Sequence, residues 1–353
     1  MRKLYFLIFL CFVELNVIGQ KNVVPIQEVK NVNGGIIYSL PKTILEINIR
    51  TTKTYKVAGP YAQYAKKYFG MEDSDIIKSN SESIEISRIY IQTKGKADSE
   101  RTYFVTTCPK STSLIQKNEA GIISSVNVLN EEETNISTRR AEKENLKLAF
   151  DKNDLSEEYF FADSDEKAAD IVASQIYAIR ESRMDLLSGV ADYAPADGAS
   201  MQIMLNELRK KETTLMQLFI GKTIRTTETE TIELSPKENS NKNVLFYFSA
   251  QKGISTKEDI NTKPVNISLN ENKKEFFQLE KKDILKSTKQ GLVYCLPGSA
   301  DIEISDANKV YYKGTVNIAQ FGTTLSLPRN LLNKENIKIV FDTTTGDIKS
   351  IHH

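Results

Sequence analysis

Two arginines and a glutamate carry the strongest hint of chemistry in this chain. Arg183 and Glu212 each interrupt an apolar helical stripe, and Arg180 lies one turn from Arg183. Such charges on an apolar stripe can hold an anion or another ligand, or they can pin the helices to the sheets by hydrogen-bonding loop carbonyls and amides. Packing is the expected role, because buried ionic groups can specify one arrangement over others. Glu46 and Glu303 suggest a second chemistry, since they occupy the same place in a pattern found near both ends of the chain. As acid and base they would have to stand a few ångströms apart in a cleft. Strand alternation puts them on solvated faces instead. Asp163-Ser164-Asp165-Glu166 has the composition of a cation site. It lacks spaced oxygen ligands and a glycine at the sixth position, and it precedes a helix, where acids complement the dipole. Capping is the expected role.

Other chemistries lack their residues. The two histidines, His352 and His353, close the chain, and a terminus is a poor place to hold an imidazole between nucleophile and acid. Zinc sites built from His and Cys fail for the same reason. Gly34-Gly35 opens a strand, not a helix, so it is no phosphate cradle. Lys plus Arg number 47 against 46 Asp plus Glu, without the basic excess that displaces counterions from nucleic acid. The absence of Trp weakens a carbohydrate-stacking reading, although 15 tyrosines offer flat faces. No catalytic, cofactor or metal residue is therefore nominated.

The N-terminus reads as an export signal. Arg2-Lys3 precedes the apolar run Leu4 to Val13, and a polar break leads to Gly19-Gln20, the expected cleavage point. Cys11 does not make this a lipoprotein signal, because bulky Leu10 precedes it. No later stretch approaches the roughly 20 apolar residues of a membrane-spanning helix. Signal removal leaves Cys108 and Cys295, which an oxidising compartment would permit to pair. Two separate buried thiols are preferred, since Cys295 stands where the first copy of the repeated pattern has Ser39.

The elements that must position these residues come next. Ala169, Val172, Ile176, Ile179, Arg183 and Leu186 keep helical spacing and stop at Gly189. Asp197 is a natural N-cap for a second helix whose stripe is Met201, Leu205, Leu208, Glu212, Leu215 and Phe219, stopped by Gly221. The pair should form an antiparallel hairpin. Counted from the shared loop, Arg183 faces Ile203 and Glu212 faces Ser174, so these charges should not pair. Glu207 lies nearly opposite Arg180 and is its expected partner. Arg180, Arg183, Asp197, Glu207 and Glu212 are the candidate interdomain or interaction residues.

Strands flank the hairpin. Gly35-Ile36-Ile37-Tyr38-Ser39-Leu40-Pro41, with Leu45-Glu46-Ile47, matches Gly291-Leu292-Val293-Tyr294-Cys295-Leu296-Pro297, with Ile302-Glu303-Ile304. The match continues at Tyr55-Lys56 with Tyr312-Lys313 and at Ala62-Gln63-Tyr64 with Ala319-Gln320-Phe321. Each copy is expected to make a strand-turn-strand unit broken at Pro, with Tyr38 and Tyr294 equivalent and the two ends in contact. Tyr61 to Phe69 reads as a helix closed by Gly70. Ile84 to Thr93 and Arg101 to Thr107 read as a strand pair joined by the polar run from Lys94, and the apolar phase changes near Ser87-Arg88 through a bulge or through burial on both faces. Residues 130–165 are the most polar interval, and a closing hairpin follows Ile337.

Arg180-Glu181-Ser182-Arg183, Leu186-Leu187-Ser188-Gly189, Pro195-Ala196-Asp197-Gly198 and Glu212 to Gly221 resemble a family of exported Bacteroidetes proteins, domain of unknown function forty-eight thirty-one. Tyr38-Ser39-Leu40-Pro41 and Ala62-Gln63-Tyr64-Ala65 fit the same family. The resemblance covers nearly the whole mature chain. It implies a cell-envelope setting and brings no activity, cofactor or catalytic residue.

The expected fold is α+β, mostly β. After a signal at 1–20 come a β-rich domain at 21–160 with one short helix, the helical hairpin at 161–222 and a second β-rich domain at 223–353. The expected function is a non-enzymatic exported protein, periplasmic or extracellular, that binds or scaffolds an unknown envelope protein or ligand. The alternative is a hydrolase or lyase working through carboxylates or tyrosines. A deep cleft holding an acid of raised pKa would favour the enzyme, and a flat apolar surface the scaffold.

Overall fold

A computed structural model describes residues 23–29, 34–106, 114–128, 148–195, 197–237, 240–272, 291–327 and 336–352. The segment expected to be an export signal, Cys108 and residues 130–147 of the polar interval lie outside them. In chain order come β1 (Val23–Pro25), β2 (Gly35–Val57), α1 (Ala65–Phe69), β3 (Ser81–Thr106), β4 (Ile115–Lys117) and β5 (Ile123–Val126). The helices α2 (Asp165–Ser188) and α3 (Gly198–Ile220) follow, then β6 (Lys222–Leu234), β7 (Ser240–Ser249), β8 (Gly253–Ser255) and β9 (Lys263–Asn272). The last strands are β10 (Leu292–Ser305), β11 (Val310–Leu327), β12 (Lys338–Phe341) and β13 (Ile348–His352). The fold is mostly β, in three antiparallel sheets ordered β1-β3-β2-β6, β11-β10-β9-β7-β8 and β13-β12-β5-β4.

The long strand β2 links three cores. Near its start, Tyr38 and Leu40 join Ile123, Val293, Cys295, Ile339 and Phe341. Further on, Leu45, Ile47 and Ile49 pack with Phe246, Ile267 and Ile302 of the second sheet. Each such fully buried aliphatic side chain contributes about 1.5–3 kcal/mol. Beyond its end, Tyr61 and Ala65 pack with Val172 and Ile176 of α2 and with Leu215 and Phe219 of α3.

Sheet membership does not follow the expected division at residue 223. β6 pairs with β2 from Leu45 to Val57, and β12 pairs with β5 at Ile339 and Val340. Strands from late in the chain thus complete sheets begun early in it.

The repeated pattern does not form strand-turn-strand units. Each copy runs as one strand through its proline, because both prolines sit at register shifts, one between Ser39 and Pro41 and one between Leu296 and Gly298. β6 joins β2 only from Leu45, and β9 joins β10 only from Ser299, so among the described residues neither proline withholds a donor from a second neighbour. At the second shift the strands approach so closely that a Cβ on Gly322 would lie 1.9 Å from the Leu296 carbonyl oxygen. Past the glutamate the copies part. The first continues along β2, whereas the second turns after Ser305 and carries Tyr312-Lys313 on β11. Their burial phases also differ: Tyr38 and Leu40 are buried in one copy, Val293 and Cys295 in the other, and Tyr294 is half-buried. Glu46 and Glu303 are half-buried or exposed and pair across the sheet with Lys94 and Lys313, each at 3.6 Å.

The expected strand pair Ile84–Thr93 and Arg101–Thr107 is a single strand, β3, paired with β2 on both sides of a register shift that leaves Asp98 to Arg101 without a partner on β2. Its polar stretch from Lys94 to Ala97 is no loop, because β2 supplies a ladder partner there while one face stays in solvent. The bulge does occur: Arg50 opposes Arg88 and Thr51 opposes Ile86, which leaves Ser87 as the extra residue. Its hydroxyl donates to the Arg50 carbonyl at 2.9 Å. The helix from Tyr61 begins with a 3-10 turn, Ala62–Tyr64, and ends at Gly70 in the left-handed region, φ 64°.

Candidate functional site

The helices form where their stripes require. Ser164 caps α2, accepting from the Lys167 amide at 3.3 Å, and Gly189 ends it at φ 76°. In the acidic motif before α2, Glu166 pairs with Lys67 at 2.5 Å, and the hydrogen bond from that lysine holds its carboxyl below the usual range. Asp197 caps α3, accepting from the Ser200 amide at 2.7 Å, and that bond lowers its pKa.

Glu212 closes the hairpin with both arginines. Arg180 Nε donates to Glu212 Oε1 at 2.6 Å, and Arg183 donates to Oε2. The expected separation of Arg183 from Glu212 is thereby corrected, as is the expected pairing of Arg180 with Glu207. Glu207 lies on the solvated side near Lys210, 3.9 Å away on the same helix. The count from the loop treated facing Cα atoms as the points of contact. Side chains lean toward the N-terminus of their own helix, so on antiparallel helices the arginines and Glu212 lean toward one another across more than a turn. The connection from Val190 to Asp197 is also long enough to let the helices start at different heights.

The clamp stands in aromatic surroundings. The Arg180 guanidinium lies 5.4 Å from the Phe69 ring centre and 5.8 Å from that of Tyr177. Phe69 in turn meets Phe219 edge-on at 4.9 Å. Burial alone would push the Glu212 carboxyl up, but the bond from Arg180 and the charge of Arg183 outweigh it and hold the carboxyl below its ordinary value. With both carboxylate oxygens occupied, the group ties α2 to α3, and not, as expected, the hairpin to the sheets.

Below the clamp the hairpin is packed on the body through Val172, Ile176, Leu215 and Phe219. Beyond it, Leu186 and Leu205 are the buried apolar side chains. Around that thin seam Met184, Leu187, Val190, Tyr193 and Ile203 are each at least 60 % exposed. Stripe reasoning missed these residues. The signal was present: Tyr177, Met184 and Leu187 make a second row at spacings of seven and three, beside the row that faces α3.

A different set of groups seals the contact between the two ends of the chain. The buried Tyr38 hydroxyl donates to the Val293 carbonyl at 3.0 Å and accepts from the Val293 amide at 2.9 Å. Burial pushes this phenol far up, which keeps the proton it needs to donate. Thr43 donates its hydroxyl to the Thr344 carbonyl and accepts from the Ala319 amide, while Gln320 accepts from the Thr43 amide and donates to its carbonyl. Arg101 reaches the Pro41 carbonyl at 2.7 Å and Asp98 at 2.7 Å. Cys295 is a free, buried thiol that donates to the Ala319 carbonyl at 3.3 Å. Burial raises its pKa against the pull of Arg101.

An open cleft of about 540 Å³ lies between Lys242, Lys263, Asn266 and Asn308. Its acid, Asp306, is occupied by its own turn: it accepts from the Asn308 and Lys309 amides at 2.7 Å and from the Tyr311 hydroxyl at 2.8 Å. Against partial burial, these bonds hold its carboxyl below the usual range. Partial burial and Asp306 together push Tyr311 up to about 12. A carboxylate so held closes a strand connection and has no proton to give near neutral pH. Among the described residues no group of His, Cys, Asp and Glu could hold a metal ion, and no helix is long and apolar enough to cross a membrane.

The family model described as Domain of unknown function (DUF4831) matches residues 34–349. No curated protein and no solved structure matches the chain.

Proposed function

Since the chain belongs to the DUF4831 family, whose description names no activity, its surface must supply the reading, and we propose a non-enzymatic binding or scaffold protein of the bacterial cell envelope. Export rests on the N-terminal charged and apolar segments ending near Gly19-Gln20. The observation that carries the binding role is the distal hairpin, where Met184, Leu187, Val190, Tyr193 and Ile203 stand exposed and Leu186 and Leu205 are buried. Exposed apolar side chains gathered on one element mark an interaction site more often than ones scattered singly. Covering one such side chain completely is worth about 1.5–3 kcal/mol, so a partner that buries several gains micromolar affinity or better after association costs. The clamp of Arg180, Arg183 and Glu212 gives this arm a fixed base. A carboxylate- or tyrosine-based hydrolase or lyase receives no comparable support, because the acid in the open cleft is depressed and bonded to its own turn.

The test is affinity capture from the native envelope by the mature protein and by its Met184→Ser/Leu187→Ser variant. Both substitutions lie at exposed positions, where stability changes stay within about 0.5 kcal/mol. A macromolecule held by the parent and lost from the folded variant supports the reading. Equal retention by both proteins, or recovery of nothing but a turned-over small molecule, overturns it.

A further inference from the structure

A second surface, independent of the hairpin, lies along β6. This strand is the last in its sheet, and its inner edge is fully paired with β2. Among the described residues no backbone group pairs with its outer edge from Thr223 to Leu234. In an antiparallel ladder every second residue turns its amide and carbonyl outward, so this edge offers a row of ready hydrogen-bonding groups.

Natural edges are commonly guarded by lysine, proline or a bulge. β6 has no register shift against β2 and no proline, and from Thr226 to Leu234 its charged residues are Glu228, Glu230 and Glu233. The remainder is threonine, isoleucine and leucine, residues that suit or tolerate a strand. The opposite side of the sheet, where β1 covers β3 only from Tyr103 to Val105, differs. β3 mixes both signs along its length, with Lys53 on Glu82 and Lys94 on Glu46 among its cross-strand pairs.

Register places the charges. Glu228 opposes Thr51 and Glu230 opposes Ile49, so both carboxylates share the face that carries Ile47 and Ile232. Thr227, Thr229 and Thr231 line the other face, where Thr231 donates to Asn48 at 2.7 Å. No ion pair joins Glu228, Glu230 or Glu233 to a cation among the described residues. Partial burial and the neighbouring Glu228 push the Glu230 carboxyl up, as expected where one sign is left unbalanced.

From the open edge and this one-signed row we infer that β6 takes up an extended segment of a partner protein as an added strand, with lysine or arginine at alternate positions opposite Glu228 and Glu230. Backbone bonds would supply affinity, and the alternate cations would set register and choice of partner. A second copy of this chain is a poor occupant, because two such edges would bring glutamates beside glutamates.

A labelled nine-residue peptide of alternating lysine with threonine or valine tests this against the mature protein. Binding is read by fluorescence anisotropy, and protection of the amides from Thr223 to Leu234 by hydrogen exchange. The expected result is saturable binding with protection confined to β6, abolished by N-methylation along one peptide edge. Glu228→Gln/Glu230→Gln should weaken it about three- to ten-fold, as for the loss of two cross-strand charge pairs. A glutamate-for-lysine peptide should not bind. Equal binding of the N-methylated peptide would reduce the effect to charge attraction and overturn the inference. Absence of binding, or protection elsewhere, also overturns it.

Discussion

Replacing Tyr38 by Phe removes a single oxygen from the contact between the two ends of the chain. That oxygen serves both the amide and the carbonyl of Val293, a residue 255 positions away. Val293 lies on β10, whose neighbour β9 begins to pair only at Ser299, so among the described residues no strand covers this edge. The hydroxyl stands in for the missing strand, as the Gly346 carbonyl does two residues on, accepting from the Cys295 amide at 3.0 Å. Tyr38 is 1 % exposed and Val293 is fully buried, so water does not replace the lost partner. Each buried backbone group left unpaired costs about 1–3 kcal/mol, offset in part because a phenyl ring buries more cheaply than a phenol. The expected loss for Tyr38→Phe is thus about 2–4 kcal/mol. Urea unfolding should show a lower midpoint with an unchanged slope, since the surface exposed on unfolding stays the same. A loss below about 0.5 kcal/mol would refute the claim that this hydroxyl completes the edge of β10.

Other perturbations probe the remaining elements. Glu212→Gln should destabilise by about 1–3 kcal/mol at neutral pH, because two charge-assisted bonds are weakened. The folded-state pKa of Glu212 lies below its unfolded value, so this contribution is complete above the unfolded carboxylate pKa of about 4.3 and vanishes as pH falls through the folded value. The stability gap between parent and Glu212→Gln should accordingly close in acid, as paired urea titrations at pH 7 and pH 3 would show. Gly322→Ala should cost about 1–3 kcal/mol in thermal or urea unfolding, because its Cβ would meet the Leu296 carbonyl oxygen at 1.9 Å. Asp197→Ala should weaken the cap of α3 by about 0.5–2 kcal/mol. Hydrogen exchange should place that loss in the first turns of α3, because the distal hairpin opens apart from the cores.

Some of this was legible in the sequence and some was not. The hairpin and its caps followed from helical spacing, Asp197, Gly189 and Gly221. The change of apolar phase after Ile86 located the Ser87 bulge. The sequence divides β3 in two because Lys94 to Glu100 is polar, and local polarity cannot show that β2 pairs with Lys94 to Ala97 and resumes at Thr102. Pro41 looked like a stop because its tolerance depends on where β6 begins to pair. The clamp escaped a count by Cα position, since the lean of long side chains decides which charges meet. Tyr38 and Val293 share no local pattern, and only the folded chain brings them together. The exposed row of Tyr177, Met184 and Leu187 was readable, but the stronger stripe beside it masked it.

Site-specific crosslinking from the hairpin tests the binding role most directly. A photoreactive residue at position 187 is compared in the native envelope with one at position 260, an isoleucine almost wholly exposed and remote in sequence from the hairpin. The account predicts a discrete adduct of defined mass from position 187 and none from 260. No adduct from 187, or the same adducts from both positions, would contradict it.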